Sequence, residues 1–434
     1  MTVARAREVP YAEAQASTVD RLVDAGIALV SQGGLRALTV RDVAAMAGIS
    51  FPAVQYHFPA KADLIDAVLG MIGERHGLIL EAVELGEGPC TDGKAAFVET
   101  VTAVLSDWCT VHAALTVAAH EMLLAGYRGH DRSGAARRWI ERQHAAWTAI
   151  VARLWGRPDE DAAWMALELT VGLSVMTLGG GRPIEAGMAN AEILRYALNP
   201  AVAGKEAGFW YRAFLSAVDR AGTVEPDDAK TEGPAHPAAR RILDAGLMIV
   251  AEQGSGAVTF RGVAERGGVA VSSITNNFRT RENLLYRIYR WIHDEMAALG
   301  ASVLPSGRQM PTGSEFERYS GHLRMILEGD APYFLASYDL VLAATRDARL
   351  GEQAWRMRMT RGVYFMVKRG RMPAPPLTLQ FRWHIVSLWS IGLGIIHHIR
   401  FDKPKARAAA VDRRLKLGLE ALPFGFGPSS AQSD

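Results

Sequence analysis

The sequence predicts an all-α protein built from two tandem copies of one helical unit. A 42-residue segment that begins at Asp24 returns, without a gap, at Asp244, and 13 of the 42 positions are identical. Within the repeated segment, apolar residues recur at the spacing of an amphipathic helix. Between the copies runs a stretch rich in glycine, proline and acidic residues, from 221 to 237, which has the composition of a linker.

The same offset of 220 residues returns near the end of each unit. The segment LTVGLSVM, from Leu169, lies opposite WSIGLGII, from Trp389, so that Gly172 matches Gly392. Two unrelated segments would not produce this second match, and we therefore predict duplication of a whole unit. Glycines inside apolar helices allow two backbones to approach closely.

Composition excludes several classes of protein. The chain has 434 residues, 49% of them hydrophobic, and a net charge of +2. Its two cysteines, Cys90 and Cys109, supply neither a disulfide framework nor a zinc-binding spacing. We expect a reduced, cytoplasmic protein without metal or cofactor. The longest apolar runs, 167–178 and 385–396, are shorter than the roughly 20 residues of a membrane span, so no membrane partner is expected.

Each repeat predicts three short helices. In the first copy they cover about 19–31, 39–47 and 51–58. Gly33 and Gly34 end the first helix, and Thr39 is a natural N-cap of the second. Gly48 supplies a tight turn, after which Ser50 caps the third helix. Two short helices joined by such a turn form a helix-turn-helix, whose second helix can enter the DNA major groove.

These residues resemble the DNA-binding domain of tetracycline-repressor-type (TetR family) regulators. The resemblance rests on TVRDVAAMAGISFPAVQYHFPAKADL and TFRGVAERGGVAVSSITNNFRTRENL, about 50 residues in each half. It implies an all-α fold in which each helix-turn-helix domain precedes a larger helical domain for ligand binding and dimerisation. The predicted domains are 15–65 and 66–221, a linker at 222–235, then 236–285 and 286–425. Two such units in one chain resemble a covalently joined dimer, whose late helices would form the dimer interface.

Each copy departs somewhere from the family pattern. Gln55 and Thr275 stand where a tyrosine is common in the recognition helix. Ala60 lacks the capping side chain that its counterpart Thr280 has, and Ala270 lacks the hydroxyl that its counterpart Ser50 has. These departures leave open whether both copies bind DNA.

The resemblance implies a set of DNA-contacting residues. Gln55 and Asn276 are candidates for paired hydrogen bonds to adenine, and small or apolar side chains for contact with thymine methyl groups. The groove-facing positions are Phe51, Ala53, Gln55 and Tyr56 in the first copy and Val271, Ser273, Thr275 and Asn276 in the second. Residues near helix starts are expected to contact mainly DNA phosphates. They are Thr39, Arg41, Ser50, Lys61, Thr259, Arg261 and Arg281.

The two copies differ in charge. Residues 16–70 hold four basic and five acidic residues, a net charge of −1, whereas residues 236–290 hold eight basic and four acidic residues, a net charge of +4. Because neutralisation of phosphates dominates DNA affinity, the hypothesis is that the second copy anchors the protein and the first adds discrimination. Reversing the charges of Arg266 and Arg281 should then weaken binding more than reversing those of Arg41 and Lys61.

Aromatic and histidine side chains of the larger domains are candidates for an unknown small-molecule effector site. The alternative is that aromatics at helical spacing belong to the core. The candidates are Trp108, His112, His120, Trp139, Tyr338, Trp355 and His384.

The predicted function is a regulator, most often a repressor in this family, that binds a double-stranded DNA operator. Its two units would act as an intramolecular pseudo-dimer on an asymmetric site. A homodimer with four helix-turn-helix domains, or binding by the second copy alone, stays open. An enzyme or scaffold that reuses the fold is the remaining alternative, although no catalytic motif is present in the sequence.

Overall fold

The computed structural model describes residues 17–84, 90–198, 208–220, 237–303, 332–362 and 377–421. Within these ranges the regular structure is entirely helical, with eighteen α-helices and two short 3₁₀-helices. The predicted linker at 222–235 lies outside the described residues.

The first unit contains ten α-helices. They are α1 (Thr18–Gly33), α2 (Val40–Ala47), α3 (Phe51–His57), α4 (Lys61–Glu81), α5 (Gly93–Cys109), α6 (Ala113–Tyr127), α7 (Ala135–Trp155), α8 (Glu160–Gly179), α9 (Pro183–Leu198) and α10 (Phe209–Arg220).

The second unit repeats this order over its described residues. Its helices are α11 (Pro237–Gln253), α12 (Phe260–Gly267), α13 (Val271–Asn277), α14 (Arg281–Val303), α15 (Pro332–Ala344), α16 (Ala348–Met359), α17 (Leu377–Arg400) and α18 (Pro404–Ala421). We call α1–α3 with the first turn of α4 the first three-helix domain, and α11–α13 with the first turn of α14 the second; the rest of each unit forms its helical body.

Local sequence signals account for the ends of the short helices. The Thr39 hydroxyl accepts a hydrogen bond from the Asp42 backbone N–H at 3.1 Å and caps α2. Gly48 ends α2 at φ +63°, in the left-handed region that favours glycine. Ser50 stands at the N-cap of α3, but its side chain makes no capping hydrogen bond, so the expected hydroxyl cap is wrong. Pro52 lies in the first turn of α3, where a missing N–H costs no helical bond.

The two units pack against each other chiefly through α8 and α17. A Cβ added to Gly172 would lie 2.1 Å from the carbonyl oxygen of Leu388, and one added to Gly392 would lie 1.9 Å from that of Glu168. Backbones therefore touch at these glycines. Glu168 is fully buried beside them and accepts hydrogen bonds from Trp389 at 2.7 Å and from Arg414 at 3.0 and 3.1 Å.

Helix α4 continues from the first three-helix domain into the helical body without a break, as α14 does in the second unit. Among the described residues one helix, Glu160–Gly179, is by itself long and apolar enough to cross a membrane, and 89% of its most apolar window is buried inside the protein.

Candidate nucleic-acid interface

The third helix of the first three-helix domain has one buried and one exposed face. Val54 is fully buried and Phe58, just beyond the helix, is 7% exposed, so both belong to the core. On the opposite face Tyr56 is 82% exposed and Phe51 is 46% exposed. Gln55 is also exposed, while Ala53 is half-buried.

The second three-helix domain presents the same pattern 220 residues later. Ile274 and Phe278 are buried. Val271, Thr275 and Asn276 are exposed, and Ser273 is half-buried, like its counterpart Ala53. Both α3 and α13 therefore turn one free face to solvent, made of the residue positions that the sequence singled out.

The helix starts differ between the two domains. The Thr39 hydroxyl donates a hydrogen bond to the Asp42 carboxylate at 2.5 Å, which places a negative charge at the N-terminus of α2. Thr259 accepts a hydrogen bond from the N–H of Gly262 at 3.0 Å, and no carboxylate stands at that position in the second domain. The start of α12 therefore carries less negative charge than the start of α2, and a helix N-terminus attracts anions.

Arginines of the second domain are already engaged within it. Arg281 donates from Nε to the carbonyl of Val258 at 2.9 Å and from Nη2 to that of Ser255 at 2.7 Å. Arg266 makes two hydrogen bonds to Glu252, at 2.6 and 2.7 Å. Arg261 pairs with Glu265 at 2.9 Å while 85% of its side chain is exposed. Such an exposed pair is weak because water screens it, so the Arg261 side chain can leave Glu265 at little cost.

Arg41 and Lys61 of the first domain are exposed. Neither makes an ion pair or side-chain hydrogen bond within the described part of the chain. Their charges are therefore available at the surface, although the first domain as a whole is slightly acidic.

An arginine of the first body holds the second three-helix domain. Arg128, at the C-cap of α6, donates to the carbonyls of Val250 at 2.9 Å and Ala251 at 3.1 Å, in the last turns of α11. It also pairs with Asp339 of α15 at 2.8 Å. The other carboxylate oxygen of Asp339 accepts from the backbone N–H of Ser255 at 2.8 Å. A cation at the C-terminal carbonyls of a helix is stabilising.

The second body makes the equivalent contact with the first three-helix domain. Arg346 donates to the carbonyls of Val30 and Ser31 in α1, both at 3.2 Å. It pairs with Glu121 of α6 at 2.7 Å. Burial raises the pKa of Glu121, although Arg346 acts in the opposite direction. We call these two contacts the cross-unit clamps: each ties the three-helix domain of one unit to the body of the other.

The clamps border a cleft of about 330 Å³ between the two three-helix domains. Close by, His120 and Tyr338 join the two bodies: Nδ1 of His120 lies 2.5 Å from the Tyr338 hydroxyl, and its Nε2 lies 2.9 Å from the Ser174 hydroxyl. Burial lowers the pKa of His120 to about 3, so its ring is neutral. Because the Ser174 hydroxyl donates to the carbonyl of Val171 at 3.2 Å, it accepts from Nε2–H, and the Tyr338 phenol donates to Nδ1.

The effector candidates do not meet in one place. Trp108 and Trp139 are buried in the first body against His76, whose Nδ1 accepts from Trp139 at 3.3 Å. His112 is half-buried at the start of α6, 3.5 Å from Asp107. His120 and Tyr338 lie at the boundary of the units. Trp355 and His384 are buried in the second body.

Sequence reasoning missed Gln143, which lies fully buried on α7. Among the residues that the structure describes, neither its amide oxygen nor its amide nitrogen has a hydrogen-bond partner, and the indole N–H groups of Trp108 and Trp147 also lack one. Buried polar groups of native proteins are normally satisfied. A glutamine on the apolar face of an amphipathic helix is the sequence signal that would have pointed to it.

Within the described ranges, no cluster of three or more His, Cys, Asp or Glu side chains is arranged to hold a metal ion. Cys109 is buried, and burial raises the pKa of its thiol to about 12, so it is not a thiolate at neutral pH.

The two three-helix domains, each with an exposed third helix, define a helix-turn-helix protein that carries two helix-turn-helix domains on one all-α scaffold. The profile of the family described as bacterial regulatory proteins, tetR family, matches residues 22–68 and 242–288. The chain therefore carries two DNA-binding domains of this family in tandem.

A curated protein is also similar to part of the chain. The HTH-type transcriptional repressor KstR2 of Rhodococcus jostii is 32% identical over 97 residues, which make up 22% of this chain and 46% of that repressor. The match thus spans about half of the relative's length.

Proposed function

We propose that this chain is a cytoplasmic, non-enzymatic transcriptional repressor that binds a double-stranded DNA operator with both of its helix-turn-helix domains. One observation carries the proposal: α3 and α13 expose the same set of positions, 220 residues apart, each on a complete three-helix domain. The likeness to a curated HTH-type repressor supports the direction of regulation.

The two units act together as an intramolecular pseudo-dimer. In a TetR-type homodimer two identical chains supply the two recognition helices, whereas here α8 and α17 of one chain pack together. The cross-unit clamps at Arg128 and Arg346 hold both three-helix domains against this shared body. These clamps fix the spacing of the recognition helices, so that the two helices enter successive major grooves about 34–36 Å apart.

The operator is asymmetric. Base contacts come from Phe51, Ala53, Gln55 and Tyr56 at one half-site and from Val271, Ser273, Thr275 and Asn276 at the other, and these two sets share no residue type. Thr39, Arg41, Ser50, Lys61, Thr259 and Arg261 contribute phosphate contacts, whereas Arg281 orders the backbone that precedes α12. The second domain binds the DNA backbone more strongly, because the start of α12 carries no carboxylate and the net charge of this domain is higher.

A small molecule controls binding by shifting the bodies between DNA-compatible and DNA-incompatible arrangements. In the first body the unpartnered atoms of Gln143, Trp108 and Trp147 support a polar contact with an effector, because buried groups without partners gain most from a ligand.

The mass of the protein–DNA complex in solution tests the pseudo-dimer. A duplex of about 30 base pairs that contains one operator should bind one chain at saturation. Two chains per operator would instead support the homodimer with four helix-turn-helix domains. Complete loss of affinity on replacing Thr275 and Asn276 by alanine, with no effect of Gln55→Ala and Tyr56→Ala, would support binding by the second domain alone.

A further inference from the structure

A fully buried arginine lies at the boundary between the two units. Arg358, in the last turn of α16, has no exposed surface. Its Nη2 donates to the side-chain oxygen of Asn190, in α9 of the first unit, at 2.5 Å. Its Nη1 lies 3.3 Å from the sulfur of Met359, a weak acceptor, and its Nε has no hydrogen-bond partner among the described residues. The guanidinium also lies 5.6 Å from the ring centroid of Trp355.

The described residues supply no counter-charge for this guanidinium. Within the described part of the chain, no carboxylate lies at ion-pair distance from Arg358, unlike the guanidinium groups of Arg128, Arg346 and Arg414. Burial lowers the pKa of Arg358 to about 10, so the group is still a cation at neutral pH. A guanidinium has five N–H donors, and a buried cation without an anion costs several kcal/mol.

A second buried polar group lies within electrostatic reach of it. His384, on α17, is fully buried; the backbone of Arg361 acts on its ring, but neither ring nitrogen completes a hydrogen bond of good geometry within the described residues. Burial, and then the charge of Arg358, lower the pKa of His384 to about 3 against the opposing effect of the Arg361 backbone, so the ring is neutral and keeps one N–H. The buried rings of Tyr211 and Phe381 lie next to it, with the Tyr211 centroid 5.3 Å from that of His384.

We propose that Arg358 and His384 form a binding site for the carboxylate or phosphate group of a small organic anion. Asn190 orients the guanidinium, whose planar donors suit two-point contact with either group. The aromatic side chains of Trp355, Tyr211 and Phe381 favour an apolar remainder of the ligand. This site rests on the proposed effector control, for which it names the chemical class of the ligand.

A polar path connects the site with a cleft on the boundary of the units. The Asn190 amide donates to the Thr177 hydroxyl at 3.2 Å, and Thr177 lines a cleft of about 550 Å³. Arg346 and Ser31, which belong to one cross-unit clamp, line the same cleft. A ligand that extends from Arg358 into this cleft lies beside the clamp that holds α1, and thereby acts on the spacing of the two domains.

The test compares Arg358→Met with Arg349→Met in the full chain. Methionine keeps the length of the side chain and removes the charge, and Arg349 is an exposed arginine on the same helix. The melting temperature is measured at constant ionic strength with sodium chloride alone, inorganic phosphate, octanoate, or the neutral analogue octanamide.

Without added anion, Arg358→Met should melt at or above the wild-type temperature, because an uncompensated charge has been removed. Octanoate or phosphate should raise the melting temperature of the wild type and of Arg349→Met by about 3 °C or more, but not that of Arg358→Met. The arm that produces the shift identifies an organic carboxylate or a phosphate as the better ligand.

Two outcomes overturn the proposal. One is a fall of more than about 4 °C for Arg358→Met alone, which would make the guanidinium structural. The other is an equal effect of octanoate and octanamide, or no Arg358-dependent shift with any anion. DNA binding by the same samples is read separately by fluorescence anisotropy. An Arg358-dependent shift without any DNA binding would refute the proposed function and leave the anion site standing.

Discussion

Gly172 and Gly392 lie against each other where α8 and α17 pack, and each occupies the space that a side chain on the other helix would need. The backbone nitrogen of Gly392 is 3.1 Å from the position of a Cβ on Gly172, and the reciprocal distance is 3.0 Å. Gly392→Ala should therefore force α8 and α17 apart and lower the free energy of unfolding by about 1–3 kcal/mol or more, measured by urea denaturation.

Gly70→Ala is the matched control for this substitution. Gly70 lies inside α4 and an added Cβ meets nothing within 4 Å. Alanine there should stabilise the protein by about 0.5–1 kcal/mol because it restricts the unfolded chain and favours helix. Equal effects of the two substitutions would show that the close approach at Gly392 does not matter.

The cross-unit clamps should control which operator spacing the protein accepts. In the double variant Arg128→Ala/Arg346→Ala, both three-helix domains lose their tie to the opposite body. We expect wild-type affinity to fall about tenfold or more when the half-site separation changes by two base pairs, and the double variant to lose most of this discrimination. The measurement is the dissociation constant for a set of duplexes that differ only in spacing.

Arg137→Ala provides the control for the clamps. Arg137 also crosses between the units, where it donates to the carbonyl of Ile399 at 3.0 Å and pairs with Asp402 at 2.8 Å, but it touches neither three-helix domain. Its variant should keep the wild-type spacing preference. If Arg137→Ala and the clamp variant relax the preference equally, the clamps have no special role in positioning.

The charge difference between the two domains predicts unequal contributions to DNA affinity. Arg241 and Arg279 of the second domain are exposed, as are Arg36 and Arg41 of the first. Changing the second-domain pair to glutamine should weaken binding more, and should lower the slope of log affinity against log salt by about 0.9 for each phosphate that is no longer neutralised. An equal or larger decrease for the Arg36→Gln/Arg41→Gln variant would contradict the charge argument.

Arg266 and Arg281 are less suitable for this comparison than the sequence suggested. Their reversal would break the hydrogen bonds with Glu252 and with the carbonyls of Val258 and Ser255, so that unfolding of the domain would be mistaken for weaker DNA binding.

Buried histidines predict that stability falls with acid. Burial lowers the pKa values of His76, His120 and His384 to about 3, against an ordinary value of 6.5. Between these values the unfolded chain binds more protons than the folded protein. Folding stability is therefore highest above pH 6.5 and declines as the pH falls, by about 1.4 kcal/mol per pH unit for each histidine well below pH 6.5.

Substitution of one histidine isolates its share. Relative to the wild type, His76→Leu should reduce the slope of unfolding free energy against pH, between pH 5.5 and 4.5, by about 1.4 kcal/mol per pH unit. This change corresponds to one proton fewer taken up on unfolding. Trp139→Phe removes the hydrogen bond to His76 without removing the titrating ring, so it should leave the slope unchanged. An unaltered slope in His76→Leu would mean that this ring is protonated in the folded protein.

The short helices of the two repeats could be predicted closely from the sequence because their signals are local. Thr39 and the left-handed Gly48 mark the two ends of α2. The alternation of buried Val54 with exposed Tyr56 follows from helical periodicity. Pairing Gly172 with Gly392 required only a constant offset between the units.

The clamps could not be predicted in the same way. Arg128 and Arg346 are 218 residues apart, as are His120 and Tyr338, whereas the repeats align at 220. A comparison of HEMLLAGYR with YDLVLAATR reveals the equivalence, but nothing local shows that each arginine binds a helix of the opposite unit. The unpaired charge of Arg358 is likewise a property of its surroundings, because exposed arginines look the same in sequence.

The most direct test of the central claim is to sequence the DNA that the purified full-length chain selects from a random pool. The proposed pseudo-dimer predicts a single motif of two unlike half-sites, with centres about one helical turn apart (34–36 Å) and a fixed order. A perfect palindrome with equal half-site energies, or an isolated half-site, would contradict it.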